Sequence, residues 1–151
     1  MKMLVWGLVI VLLVVPGAMV YKNLNTPDNL GLQNGRLAPL ASSPNGVSSF
    51  AEEADKKVAA LPFKADLKAT QLAALRAFAH MPNNKVISRN GEYVHVVFFS
   101  PTVGYRDDVE LLFDEANQQL HFRSQSRVGY SDMGINKQRY QEFVKLYNEA
   151  D

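Results

Sequence analysis

The stretch from Gly104 to Asn136 concentrates the side chains that could do chemistry. It reads GYRDDVE and later RSQSRVGYSDMGIN. Asp107, Asp108 and Glu110 could bind a hard cation through carboxylate oxygens, and a metal so held could assist a hydrolysis. On a strand, however, Asp108 and Glu110 point to one side and Asp107 to the other. The competing arrangement is a charge ladder that pairs Asp108 and Glu110 with Arg123 and Arg127. The ladder is the favoured reading, because the arginines already supply positive charge there. No metal and no cofactor are therefore expected.

Arg123, Ser124, Ser126 and Arg127 have the makings of an anion cradle, with guanidinium forks beside hydroxyl donors. A regular strand puts the arginines on one face and the serines on the other. That splits the cradle unless a bulge near Ser126 re-aims the chain. The segment from Gly129 to Asn136 leads into a helix whose first turn carries Lys137 and Arg139. Cations there oppose the helix dipole, so an anion is expected nearby. Asp132 is the economical choice, and a bound phosphate or carboxylate is the other.

The histidines, His80, His95 and His121, show no metal-ligand spacing. No G-x-S-x-G, H-E-x-x-H or Walker pattern occurs. Zero cysteines exclude disulfides and thiol catalysis. Tyr93, Tyr105 and Tyr130 could stack a ligand, although core packing also accounts for such rings. No reaction is singled out, and a non-enzymatic role is favoured.

The elements that must position these residues are legible in part. Asp66 caps a helix running to about His80, with Leu67, Ala74, Leu75 and Phe78 on one side. Met81-Pro82-Asn83-Asn84 ends it. Lys85 to Arg89 is a short strand, and Asn90-Gly91 is a hairpin turn. Tyr93 to Phe99 is apolar on both faces except for His95, which suits a central strand. Asp108 to Phe113 and Leu120 to Ser126 alternate. A two- or four-residue loop between them sets Phe113 opposite Leu120, Leu111 opposite Phe122, Val109 opposite Ser124 and Glu110 opposite Arg123. Tyr140, Phe143, Val144 and Tyr147 mark the face of a last helix, with Asn136 as its N-cap. The expected fold is α+β: an antiparallel meander of three to four strands flanked by two helices on one face, plus an N-terminal transmembrane helix.

That transmembrane helix rests on Met3 to Val20, an uncharged apolar run of 18 residues with Lys2 before it and Lys22 after it. As a helix it spans ~27 Å, close to a bilayer's hydrocarbon thickness. The run is longer than a signal core and lacks an A-x-A cleavage pattern, which favours an uncleaved anchor over a cleaved signal peptide. The expected organisation is an anchor or signal over 1–21, a linker with an ordered lead-in over 22–50, and a soluble domain over 51–151. The linker reading comes from Pro27, Pro39 and Pro44 with Gly31, Gly35 and Gly46. Lys2 ahead of the run favours an inside amino terminus, which places the domain in the periplasm or an equivalent compartment. Cleavage would instead release a secreted protein.

The 151 residues suffice for one domain of ordinary size. Without Lys2, 15 Lys and Arg balance 15 Asp and Glu. A neutral domain has no field to attract nucleic acid, so no nucleic-acid partner is expected.

SPNGVSS (Ser43–Ser49), YVHVVFFSPTVGYRDDVELLF (Tyr93–Phe113) and RSQSRVGYSDMGIN (Arg123–Asn136) together resemble the domain of unknown function 1499 family. The resemblance covers roughly residues 30–149. It implies a small exported or membrane-tethered protein of a bacterial family with plastid relatives, and it implies no activity. The matched positions include Asn45, Asp107, Asp108, Glu110, Arg123, Ser124, Ser126, Arg127, Asp132 and Asn136, as ligand-binding residues or as a structural latch. The family reads P-C-P-x-S-P-N-C-V-S where this chain has Leu40 and Gly46 at the cysteine positions. That fits a lost disulfide or a lost two-thiol site. The resulting expectation is a membrane-tethered extracytoplasmic binding or accessory module, held to the membrane through residues 3–20 and acting on a protein or a small anionic ligand. The alternative is a metal-assisted hydrolase using Asp107, Asp108 and Glu110.

Overall fold

Alternation in the second half of the chain builds a sheet, and two amphipathic helices cover one side of it. The computed structural model describes residues 16–150. Strands β5 (Asn84–Asn90), β6 (Tyr93–Phe99), β7 (Arg106–Asp114) and β8 (Gln119–Ser126) form the antiparallel meander. The β7–β8 register is the one that alternation requires: Phe113 faces Leu120, Leu111 faces Phe122, and Glu110 faces Arg123. The four-residue loop occurs, closed by Asp114 bonds to the backbone and side chain of Asn117.

The sheet is larger than a meander of three or four strands. β3 (Gly46–Ser48) and β4 (Leu61–Pro62) both pair with β8 and bring it to six strands. A separate small pair, β1 (Leu32–Gln33) with β2 (Arg36–Leu37), brings the strands among the described residues to eight. These pieces are two or three residues long, too short to show a period.

Helix α1 (Leu67–His80) starts at Asp66, whose carboxylate accepts a bond from the Ala69 amide at 2.7 Å. Helix α2 (Ile135–Glu149) starts at Gly134, not at Asn136. Gly134 has φ 82°, a left-handed conformation that suits glycine. Asn136 lies inside the helix and is fully buried.

Both helices pack on one face of the sheet. Phe78 of α1, Phe122 of β8 and Phe143 of α2 meet at the centre, with ring centroids 4.9 and 5.4 Å from Phe143. Val94, Val96, Val109 and Leu111 complete the floor. Residues 22–45 run across the other face, where Leu37 packs on Tyr93 and Leu112. Of the expected anchor, residues 3–15 lie outside the described residues. Residues 16–24 are helical and mostly exposed. Among the described residues, no helix is long and apolar enough to cross a membrane.

Candidate functional site

The polar residues of β7 and β8 divide between the two faces of the sheet. On the face away from the helices, Asp108 accepts two bonds from Arg127, both 2.8 Å, and shares one with His95 Nε2 at 2.8 Å. Two residues along, on the same face, Glu110 accepts from Arg123, from the Tyr93 hydroxyl at 2.6 Å and from the Gly31 amide at 2.6 Å. Asp108, Glu110, Arg123 and Arg127 are each 5% exposed or less. This is the ladder, and it is buried.

Burial alone would push the Asp108 carboxyl up, but the Arg127 and His95 bonds outweigh it and hold the group below the usual aspartate range. Burial, then the adjacent Glu110 carboxylate, pushes the Tyr93 hydroxyl far above its ordinary value. Tyr93 therefore stays a neutral donor.

The same arginines clamp the amino-terminal segment. Arg127 Nη1 donates to the carbonyls of Asn23 and Asn25 at 3.2 and 3.0 Å, and Arg123 Nη2 donates to Pro39 at 3.2 Å. A pocket of about 100 Å³ remains between this strap and the sheet. That is well below the roughly 300–1,000 Å³ of ordinary ligand sites. With both guanidinium groups engaged in this way, Arg123 and Arg127 form no cradle with the serines.

Ser124 and Ser126 face the helices, as a regular strand demands. They meet Asn136, whose side chain bonds the Ser124 and Ser126 hydroxyls, the Asn45 carbonyl and the Asp132 carboxylate. Asn45 sits at the sheet edge and reaches both sides, through Gln125 on one and the Gly129 carbonyl on the other. Asp132 supplies the anion at the start of α2, accepting from the amides of Gly134 and Asn136 at 3.1 and 2.9 Å. Arg139 finds a different carboxylate, Asp107, at 2.7 Å.

Asp107 is thus on the opposite face from Asp108 and Glu110, and the three carboxylates do not converge. Among the described residues, no three His, Cys, Asp or Glu side chains are placed to hold a metal. The sequence reading leaves His95, Tyr93, Gln125 and Arg139 out of the candidate site, although it names Tyr93 as a ring that could stack a ligand and Arg139 as a cation that needs an anion. For His95 a signal existed, because the β6–β7 pairing puts it on the Asp108 face.

Open space lies at both ends of the sheet: a shallow hollow of about 690 Å³ beside the Asn90-Gly91 turn, and a groove with more apolar wall where β6 passes into β7. The groove, of about 620 Å³, runs between the 100–105 loop, the 128–135 loop and α2. Its walls are mainly apolar, including Met81, Phe98, Met133 and Ile135. The Asp107–Arg139 pair lines it, with the Arg139 guanidinium 4.6 Å from the centre of the Phe98 ring.

Over residues 36–146 the sequence matches the family described as protein of unknown function (DUF1499). The chain belongs to the DUF1499 family. No curated protein and no solved structure matches it. The DUF1499 match takes in the ladder, the Asn136 hub and the polar lining of the groove. Leu40 and Gly46 lie side by side in the fold. A Cβ on Gly46 would stand 3.0 Å from Leu40 Cδ2 and 2.8 Å from the Ser124 carbonyl. In this DUF1499 chain, Leu40 packs against the space that a side chain at Gly46 would need.

Proposed function

We propose that this chain is a membrane-tethered, extracytoplasmic binding module that performs no catalysis. Its site is the groove between the 100–105 and 128–135 loops. The observation that carries this reading is the groove itself: about 620 Å³, mostly apolar walls and one ion pair, the usual make-up of a small-molecule site. The ligand class it suits is an amphipathic molecule. The apolar body would lie on Phe98, Met133 and Ile135, with a polar group near Asp107, Ser126 and Asp132.

The ladder carboxylates support the non-catalytic part, since each is already bonded to an arginine and buried. Tethering is supported by the uncharged run Met3–Val20 with Lys2 ahead of it. The test is native mass spectrometry of the full chain released from nanodiscs, beside an Ile135→Trp variant that fills the groove mouth. A reproducible added mass on the wild type, lost in the variant, is expected. A bare wild-type chain, or equal loading of both, would contradict the reading.

A further inference from the structure

We infer that the two loops walling the groove, through their exposed Val103, Tyr105, Tyr130, Met133 and Ile135, dock on the surface of the bilayer that holds the chain. This rests on the tethered reading above.

The first argument is the length of the tether. The apolar run closes at Val20, and Asn23 is already fixed to the domain. Its side chain donates to the Gly104 carbonyl at 3.0 Å and accepts from the Arg106 amide at 2.8 Å. Arg106 and Arg127 also hold the carbonyls of Leu24 and Asn25, at 2.9 and 3.0 Å. Residues 16–24 are helical, so Val20 to Asn23 rises only ~4.5 Å. Fully extended, the same step would reach ~11 Å. The polar zone on each side of a bilayer core is itself ~5–8 Å deep. With residues 3–20 in the membrane, the 100–105 and 128–135 loops have no room to stand away from it.

The second argument is what those loops display. Val103 is 63% exposed, Tyr130 80% and Met133 91%. The 100–105 loop carries no charge, and the 128–135 loop carries only Asp132. The Asp132 carboxylate is turned inward, onto the amides of Gly134 and Asn136. Aliphatic tips with tyrosines beside them suit the boundary between headgroups and acyl chains. Met133 is held at φ 55°, an uncommon conformation for a side chain that packs against almost nothing. In this orientation the groove opens at the membrane surface.

The absence of cysteine makes the test direct. Full-length Met133→Cys and Ala116→Cys each carry one environment-sensitive fluorophore, in vesicles of phosphatidylethanolamine and phosphatidylglycerol. Ala116 is exposed in the β7–β8 turn, ~27 Å away along β7. The label at 133 should emit at shorter wavelength and be quenched by brominated lipid, and the label at 116 should show neither effect. If both labels report water while the chain resists carbonate extraction, docking is wrong and the tether stands. If carbonate extracts the chain, the tethered reading fails and the docking inference falls with it.

Discussion

One face of the sheet is packed with rings and aliphatic chains, and the other with carboxylates and guanidinium groups. Burial does not distinguish them: Phe122 and Glu110 are both 0% exposed and Arg123 is 1%. The physics differs. The apolar face is stabilised in proportion to area and shape, so a change of volume is felt by degrees. The polar face is stable only when complete, because losing one partner leaves a buried charge alone. A run of ionisable residues that looks like a binding site can therefore be interior structure. Here it clamps the strap, while the apolar groove lies where β6 passes into β7.

The sharpest contrast between the faces comes from truncation and conservative replacement. Arg123→Ala should lower stability by ~3–5 kcal/mol, and replacing Glu110 and Arg123 together by Leu and Met should recover most of that. Phe143→Ala should cost a similar ~3–5 kcal/mol with no such rescue. Phe143→Leu should be much milder, whereas Arg123→Lys should not, since lysine lacks the fork that reaches Glu110, Gln125 and Pro39. Urea unfolding of the full chain in detergent micelles reads all of these.

The acid side of the pH dependence draws on the polar face, whereas the alkaline side is shared with Tyr140 and Tyr147 of α2, both raised by burial. Asp108 is held below its ordinary value of 3.8. Its contribution is therefore full above that value and is lost as pH falls below it, where the unfolded chain takes up the proton first. His121 is pushed below 6.5, mainly by burial, so an earlier loss begins as pH falls past 6.5. Tyr93 is raised, so stability also declines as pH rises past its ordinary value of 10. In a series of unfolding midpoints against pH, Asp108→Asn should make the acid limb shallower and Tyr93→Phe should reduce the alkaline one, the remainder of which belongs to Tyr140 and Tyr147.

Where the sheet edge meets the strap, the effect should be smaller. Gly46→Ala places a methyl 2.8 Å from a backbone carbonyl and should cost ~1–3 kcal/mol by the same unfolding assay. Remote from both faces' charges, Asp66→Ala removes only the cap of α1 and should cost ~1 kcal/mol.

What could be read from the sequence was whatever repeats. The β7–β8 register followed from alternation, and so did the division of Arg123 and Arg127 from Ser124 and Ser126. The buried face of α2 followed from the spacing of Phe143 and Tyr147. The strap was opaque, because its bonds to Arg123 and Arg127 use backbone carbonyls that every residue carries. Asn136 was misassigned because asparagine suits an N-cap and a buried hub equally well. The Asp107–Arg139 pair depends on where α2 lands on the sheet, which no local period encodes. Nor does any motif encode the groove, which forms where two loops and a helix end converge.

The clamp can be measured directly by hydrogen exchange of the full chain in nanodiscs. The Gly31 amide donates to Glu110 at 2.6 Å and the Ala38 amide to the Gly31 carbonyl at 3.2 Å. If the ladder holds the strap, both amides exchange as slowly as those of β6 and β7, and Glu110→Gln speeds them while β6 stays protected. Exchange of residues 23–40 at the rate of a free chain in the wild type would contradict the clamp.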